Sequence, residues 1–139
     1  MTENSNLAWY KWSNLFLCLV ITCSLSAQEN QLADSLLQVL QSAQADTNKV
    51  HILNDLAWEL KFNKAKDAKN YLAGAIELSK QLGYPKGEAQ AYNNRGVVEA
   101  IQGNVDEATS YLQKALKIRE ELKDKKGVAS LYNLSLIHI

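Results

Sequence analysis

The sequence repeats itself at an interval of about 40 residues, and no other feature restricts its fold so strongly. Residues in the second half of one unit have similar counterparts 40 positions later: Ala68, Tyr71, Leu72, Ala75, Ile76 and Leu82 match Ala108, Tyr111, Leu112, Ala115, Leu116 and Leu122. The front of the unit recurs in the same way: Gly87, Ala89, Tyr92 and Asn93 match Gly127, Ala129, Tyr132 and Asn133. A period of this size is typical of a solenoid, in which supersecondary units stack and bury a shared core.

Each unit reads as two helices, because apolar residues recur at helical spacing and breakers stand between the stretches. The predicted helices run from Gln31 to Ala45 and from about 48 to 62, 66 to 82, 88 to 101 and 105 to 122. The first of them should bury one face, made of Leu32, Leu36, Val39, Leu40 and Ala43. The fold class is therefore all-α, built from antiparallel helix pairs.

Local signals mark where these helices begin and end. Side-chain oxygens that can accept the first helical N–H groups are offered by Asp46, Thr47 and Asn104. Gly83 and Gly103 suit the positive φ that ends a helix, and Pro85 can begin the next one.

Small residues recur where neighbouring helices should cross. They are Ala57 and Gly96 on the first helices of the units, and Ala68, Ala75, Ala108 and Ala115 on the second helices. Two helices approach closely only where a side chain is short, so we assign these six residues a structural role.

Two motifs carry a resemblance to a known family. Ala91-Tyr92-Asn93-Asn94-Arg95-Gly96 is followed by Gln102-Gly103-Asn104-Val105-Asp106-Glu107-Ala108, and the stretch resembles a tetratricopeptide repeat in its longer variant of about 40 residues. The resemblance extends over roughly 48–133 and implies a right-handed α-solenoid. Arg95 and Glu99 depart from the family pattern, and their spacing of four predicts a local salt bridge.

In this family the first helices line a concave surface, and the resemblance implies that partners bind there. The predicted peptide-binding residues are His51, Asn54, Trp58, Lys61, Asn93, Val97 and Ala100. Asn54, Asn93 and Asn133 recur at intervals of 39 and 40, and an Asn amide can bond both groups of a peptide backbone. The alternative is that these asparagines bond between neighbouring repeats and hold the stack together.

Nothing in the sequence points to catalysis. It has no phosphate loop, no metal-ligand spacing and no nucleophile motif, so we predict no enzyme activity, metal or cofactor. His51 suits a solvated or packing role better than a catalytic one. With 15 basic and 15 acidic residues, the charge balance gives no reason to expect nucleic acid as a partner. Membrane contact is expected only through a missing downstream segment or an uncleaved leader.

The first residues differ from the repeats and suggest export to the periplasm or cell envelope. An apolar run from Leu15 to Ile21 precedes small residues near Ala27, which suits a cleaved signal peptide. Two alternatives stay open: a lipoprotein signal that uses Cys23, and a buried N-terminal helix. Both cysteines lie in this leader, so the mature chain would carry none.

The last residues suggest a fragment, because a third unit begins and is not completed. The hexapeptide Leu134–Ile139 resembles the translation of a sequencing adapter, so we treat it as non-native. The predicted organisation is 1–27 signal peptide, 28–46 N-terminal helix, 47–86 first repeat, 87–126 second repeat, 127–133 start of a third repeat and 134–139 non-native tail. The predicted function is an exported protein or peptide interaction module. The alternative is the sensory input region of a membrane-bound signalling enzyme, similar to a histidine kinase, or of a regulator.

Overall fold

The structure is a computed structural model that describes the backbone of residues 31–137 and the side chains of 31–133. Two compact units are distinguished, Met1–Asp34 and Ser35–Ile139, and of the first only 31–34 are described, all of them helical. The described helices are α1 (31–42), α2 (Thr47–Leu60), α3 (Ala65–Gln81), α4 (Pro85–Ile101), α5 (Val105–Glu121) and α6 (Lys125–Ile137). No strand occurs in this range.

The helices from α2 onward pack in sequential order as antiparallel pairs. Helix α2 pairs with α3 and α4 pairs with α5, while α3 contacts α4 and α5 contacts α6. The first helices of the two pairs, α2 and α4, also touch directly. This order confirms the predicted all-α architecture of stacked helix pairs.

Several helix ends follow the local signals. Asp46 has an extended backbone and accepts the N–H of Lys49 at 3.0 Å, so it caps α2. Gly83 and Gly103 take φ values of +60° and +81° after α3 and α4. Pro85 occupies the first turn of α4, where its missing N–H costs nothing.

Other ends differ from the prediction. The first helix ends at 42 rather than at Ala45, because the chain must leave helical geometry before Asp46 can cap α2. Helix α4 begins at Pro85, three residues before the predicted start. Asn104 stands at the N-cap position of α5, but its side chain caps nothing and instead donates to Glu99 Oε2 at 2.7 Å.

The predicted buried face of α1 is only partly covered. Leu36, Leu40 and Ala43 are half-buried, whereas Leu32 and Val39 are exposed, Val39 to 51%. Ala33 is buried and lies on the same face of α1 as Leu36 and Leu40, so the covered face is centred there, and Leu32 and Val39 lie at its margin.

The six small residues predicted to have a structural role are all buried. Gly96 shows why size matters there. A Cβ added to it would stand 2.8 Å from Leu112 Cγ and 3.1 Å from the backbone oxygen of Ala108, closer than side chains normally approach. Helix α4 therefore crosses α5 at a distance that only glycine permits.

A buried carboxylate ties α3, α4 and the α4–α5 turn together. The predicted salt bridge between Arg95 and Glu99 is confirmed, with Nε and Oε1 2.9 Å apart. It belongs to a larger cluster, because Lys69 Nζ lies 2.6 Å from Glu99 Oε2 and Asn104 also bonds that oxygen. Burial alone raises the pKa of Glu99, but hydrogen bonds from Lys69, Asn104 and Arg95 outweigh burial and hold this pKa below its ordinary value.

The last helix presents a mixed face. Leu131 is buried against α5, whereas Tyr132 is exposed.

None of the helices described here has both the length and the hydropathy needed to cross a membrane. The predicted signal peptide and the end of the predicted tail lie outside the described residues.

Candidate functional site

A groove of about 850 Å³ runs along the first helices α2, α4 and α6, and we call it the central groove. The start of α4 and the end of α5 close its other side. Its volume lies within the ~300–1,000 Å³ typical of ligand sites. Two carboxylates line it, from Asp55 and Asp124, together with the cationic side chains of Lys86, Arg119 and Lys126.

Most of the predicted binding residues meet in the central groove. Those that line it are His51, Asn54, Trp58, Asn93 and Val97. They come together because they share one face of α2 or the corresponding face of α4, offset by 39 residues.

Lys61 and Ala100 were also predicted to bind peptide, but they do not line the central groove. Lys61 bends back over its own helix, where Nζ donates to the backbone oxygen of Trp58 at 2.9 Å and stands 4.0 Å from the indole centroid. Ala100 lies near the end of α4 and lines a separate apolar cavity of about 230 Å³, together with residues of α5.

Trp58 is the most conspicuous apolar group in the central groove. It is 42% exposed, although removing an indole ring from water is favourable. Phe62 follows one helical turn later and is 68% exposed, but it lies outside the groove. Aromatic side chains of this kind often contribute most of the binding energy at protein interfaces.

A chain of side-chain amides crosses the floor of the groove, from the buried Asn54 and Asn94 to the exposed Gln90. Asn94 Nδ2 donates to Asn54 Oδ1 at 3.1 Å, and Asn54 Nδ2 donates to the backbone oxygen of Val50 at 3.0 Å. Gln90 Nε2 continues the chain by donating to Asn94 Oδ1 at 2.9 Å. Both polar atoms of the Asn54 side chain are therefore hydrogen-bonded within the protein, and the bond to Asn94 links α2 to α4.

Asn93 differs from Asn54, although the two occupy equivalent positions. Asn93 is 9% exposed, and its Oδ1 has no hydrogen-bond partner among the residues that the structure describes. A buried carbonyl without a donor costs roughly 1–3 kcal/mol. A residue that lines the groove thus carries a buried acceptor that the described residues leave unpaired.

Arg119 extends the polar floor toward α6. Its Nη2 donates to Gln90 Oε1 at 3.1 Å and its Nη1 donates to the backbone oxygen of Gly127 at 2.8 Å. This guanidinium therefore bridges the end of α5, the middle of the groove and the start of α6.

His51 stands at the edge of the groove beside an aromatic neighbour. Its Nε2 lies 3.2 Å from the hydroxyl of Tyr84, and the two rings meet edge to face with centroids 5.8 Å apart. Through residues 31–137, no group of three His, Cys, Asp or Glu side chains is placed to hold a metal ion.

The sequence prediction did not include Gln90, Asn94 and Arg119. The repeat offers a signal for two of them, because Gln90 and Asn94 are 39 residues beyond His51 and Asp55, which face the same groove. It offers none for Arg119, whose counterpart 40 residues earlier is Ser79.

Comparison with known families supports the repeat interpretation over part of the chain. A family model described as tetratricopeptide repeat matches residues 87–139, which contain α4, α5 and α6. Such repeats are generally protein–protein interaction modules and are typically non-catalytic. No curated protein matches the chain significantly.

Proposed function

We propose that this chain is an interaction module that binds an extended protein or peptide segment in the central groove. The match to a repeat that generally mediates protein–protein contacts supports this proposal, as does the size of the groove. The observation that carries it is that the same groove is lined by an exposed indole, that of Trp58, and by Asn93, whose buried carbonyl has no partner among the described residues.

Each of these groups would gain from a bound segment in a different way. An apolar side chain of the partner covers the indole of Trp58 and removes both surfaces from water. After the Asn93 side chain turns toward the groove, its Oδ1 accepts a backbone N–H of the same segment, which removes the cost of the missing bond. Because a backbone N–H carries no sequence information, selectivity comes from the side chains along the groove.

A peptide selection tests the proposal while the natural partner is still unidentified. Random peptides displayed on phage are selected against the immobilised chain, and the enriched ones are synthesised and titrated by fluorescence anisotropy. We expect the Trp58→Ala variant to weaken their binding by at least about tenfold.

Phe62→Ala is the matched control. It removes an aromatic ring that is more exposed than Trp58, from the turn that follows the same helix, and outside the groove. We expect it to change the affinity by less than about twofold. Peptides that bind the Trp58→Ala variant as well as the unmodified chain would refute the central groove as the binding site.

We further propose that the module is exported, on the basis of the apolar leader in the sequence. Replacing Leu17 and Val20 by arginine interrupts the apolar run that a signal peptide requires. In a bacterial host, the unmodified chain should lose its leader and appear in the periplasmic fraction, and the variant should keep its full mass. Equal masses and equal fractionation of the two chains would contradict export.

The alternative function is sensory input to a membrane-bound signalling enzyme or regulator. The Tyr92-Asn93-Asn94 motif favours it through its resemblance to exported input regions of bacterial sensors. Genomic DNA beyond the codon for Asn133 decides between the two. An apolar run of about 20 residues followed by an output domain supports the sensor, and an early stop codon supports a free adaptor.

A further inference from the structure

The charged side chains of the central groove are unevenly placed. Its lysines and its arginine come from α4, α5 and α6, and they are Lys86, Arg119 and Lys126. Asp124 stands beside the guanidinium of Arg119 at Gly127. Helix α2 contributes one acidic side chain to the groove, that of Asp55, and no lysine or arginine. The α2 wall is therefore the acidic side of the groove.

The carboxylate of Asp55 is exposed and unpaired. Within the part of the chain that the structure describes, it accepts no hydrogen bond and has no cationic nitrogen within 4.0 Å. The other groove carboxylate, that of Asp124, accepts the N–H of Gly127 at 3.1 Å and so already acts within the fold. Asp55 can thus pair with a cation of a bound segment without breaking a bond of the protein.

Trp58 lies one helical turn after Asp55, so the two side chains are neighbours on the groove face of α2. Residues three apart on a helix have Cβ atoms about 5–6 Å apart. The indole already attracts a cation, because Lys61 Nζ stands 4.0 Å from its centroid. Lys61 does not line the groove, so its ammonium leaves the groove side of the ring open. An open aromatic face with a carboxylate beside it is a receptor for a cation.

A guanidinium fits this pair of side chains better than an ammonium does. It is planar, so it can stack on an indole while its edge presents two N–H donors to a carboxylate. The three-carbon stem of an arginine supplies apolar surface that covers the ring. An ammonium is a compact, strongly hydrated charge that cannot make both contacts in this way. The carboxylate of Asp55 also offsets the repulsion between the incoming charge and Lys61.

We propose that the central groove selects partner segments that carry an arginine, whose guanidinium stacks on Trp58 and pairs with the carboxylate of Asp55. This inference rests on the proposed function, because it names the side chain that covers the indole. Asp55 distinguishes segments with an arginine at this position from segments with a neutral side chain there.

The test begins with peptides that bind the groove in a Trp58-dependent manner. In each peptide, every arginine is replaced in turn by citrulline, which has nearly the same shape and no charge. Against the unmodified 139-residue chain, one of these replacements should weaken binding at least about fivefold. A lysine at the same position should bind with an affinity between the two, since it keeps the charge and loses the planar fork.

The protein side of the comparison assigns the effect to Asp55. In the Asp55→Asn variant, the ratio between the arginine and citrulline peptides should fall to about twofold or less, which is what stacking alone supplies. Asp124→Asn is the matched control. It removes a negative charge from the same groove, while an asparagine still accepts the N–H of Gly127, and it should leave the ratio intact.

The outcomes separate this inference from the proposed function. If Trp58-dependent peptides contain no arginine, or if their citrulline versions bind equally well, the arginine inference is wrong and the proposed function stands. A lysine version that binds as tightly as the arginine version would overturn the choice of a guanidinium. If Asp124→Asn rather than Asp55→Asn abolishes the ratio, the assignment to Asp55 is wrong. If no peptide depends on Trp58, the proposed function fails and the inference fails with it.

Discussion

Asn94 donates a hydrogen bond from Nδ2 to Oδ1 of Asn54 across 3.1 Å, and so joins the first helices of two successive repeats. The two residues are 40 apart in sequence and both are buried. Asn54 also donates to the backbone of Val50, and Asn94 also accepts from Gln90. This pair therefore aligns α2 with α4 and shapes the floor of the central groove between them.

Removing both members of this pair should destabilise the fold by less than the sum of the two single removals. Asn94→Ala leaves Asn54 Oδ1 buried without a donor, and we expect the free energy of unfolding to fall by roughly 1–3 kcal/mol. The double variant with Asn54→Ala should lose less than the sum of the two single variants, because it leaves no orphaned partner. Urea denaturation measures each value.

The control for this cycle is Asn70→Ala, which removes an exposed asparagine from α3. We expect it to change the free energy of unfolding by less than about 0.5 kcal/mol. Additive single effects within the Asn54 and Asn94 cycle would show that the bond contributes nothing to the stack.

Two helical glycines should respond in opposite directions to the same substitution. A Cβ added at Gly74 would meet only Leu53 Cδ1, at an ordinary 3.9 Å, so Gly74→Ala should stabilise the fold by about 0.5–1 kcal/mol. A Cβ at Gly96 would press on Leu112 and on the backbone of Ala108, so Gly96→Ala should destabilise it by roughly 1–3 kcal/mol. Thermal melts followed by circular dichroism compare the two, and a shift of the same sign in both would disprove the close crossing of α4 and α5.

Lys123 has a backbone conformation that glycine adopts more readily. Its φ is +54°, and Gly83, its counterpart in the preceding repeat, has a φ of +60°. Lys123→Gly should therefore raise the free energy of unfolding by up to about 1 kcal/mol, because a side chain disfavours the left-handed region. The reciprocal change, Gly83→Lys, should lower it by a similar amount. A stability loss in Lys123→Gly, measured in urea, would contradict this account of the helix end.

The Glu99 cluster should make stability depend on acid pH. The folded pKa of Glu99 is lowered, so its contribution is fully present above the unfolded pKa, near 4.3, and is lost as the pH falls through the folded pKa. Glu99→Gln cannot titrate and should flatten this part of the profile below about pH 4.5. The measurement is the urea midpoint at a series of pH values.

Two comparisons make this experiment specific. Glu120→Gln, an exposed substitution on α5, should leave the acid profile of the unmodified chain in place. Lys69→Met should weaken the pH dependence, because it removes the donor that lies 2.6 Å from Glu99 Oε2. An unchanged profile in Glu99→Gln would assign the acid sensitivity to other carboxylates.

The sequence by itself determined the helices, their pairing and most of their ends. Asp46, Gly83 and Pro85 act through their own backbone and the next few residues, so their effects can be predicted without knowing what packs nearby. Gly96 and Ala108 are small wherever they stand, and a constant period is enough to place them at the helix crossings.

Only the tertiary structure decided which polar groups are satisfied. Asn54 and Asn93 are the same residue at equivalent positions, yet Asn54 finds Asn94 across the helix interface while the carbonyl of Asn93 finds no donor among the described residues. Arg119 likewise has no counterpart in the first repeat, where Ser79 stands. A hydrogen bond or ion pair depends on the positions of two side chains from different helices to within a fraction of an ångström. The repeat period therefore fixes where the helices lie. Which polar side chains are hydrogen-bonded depends on the neighbours that packing brings to them.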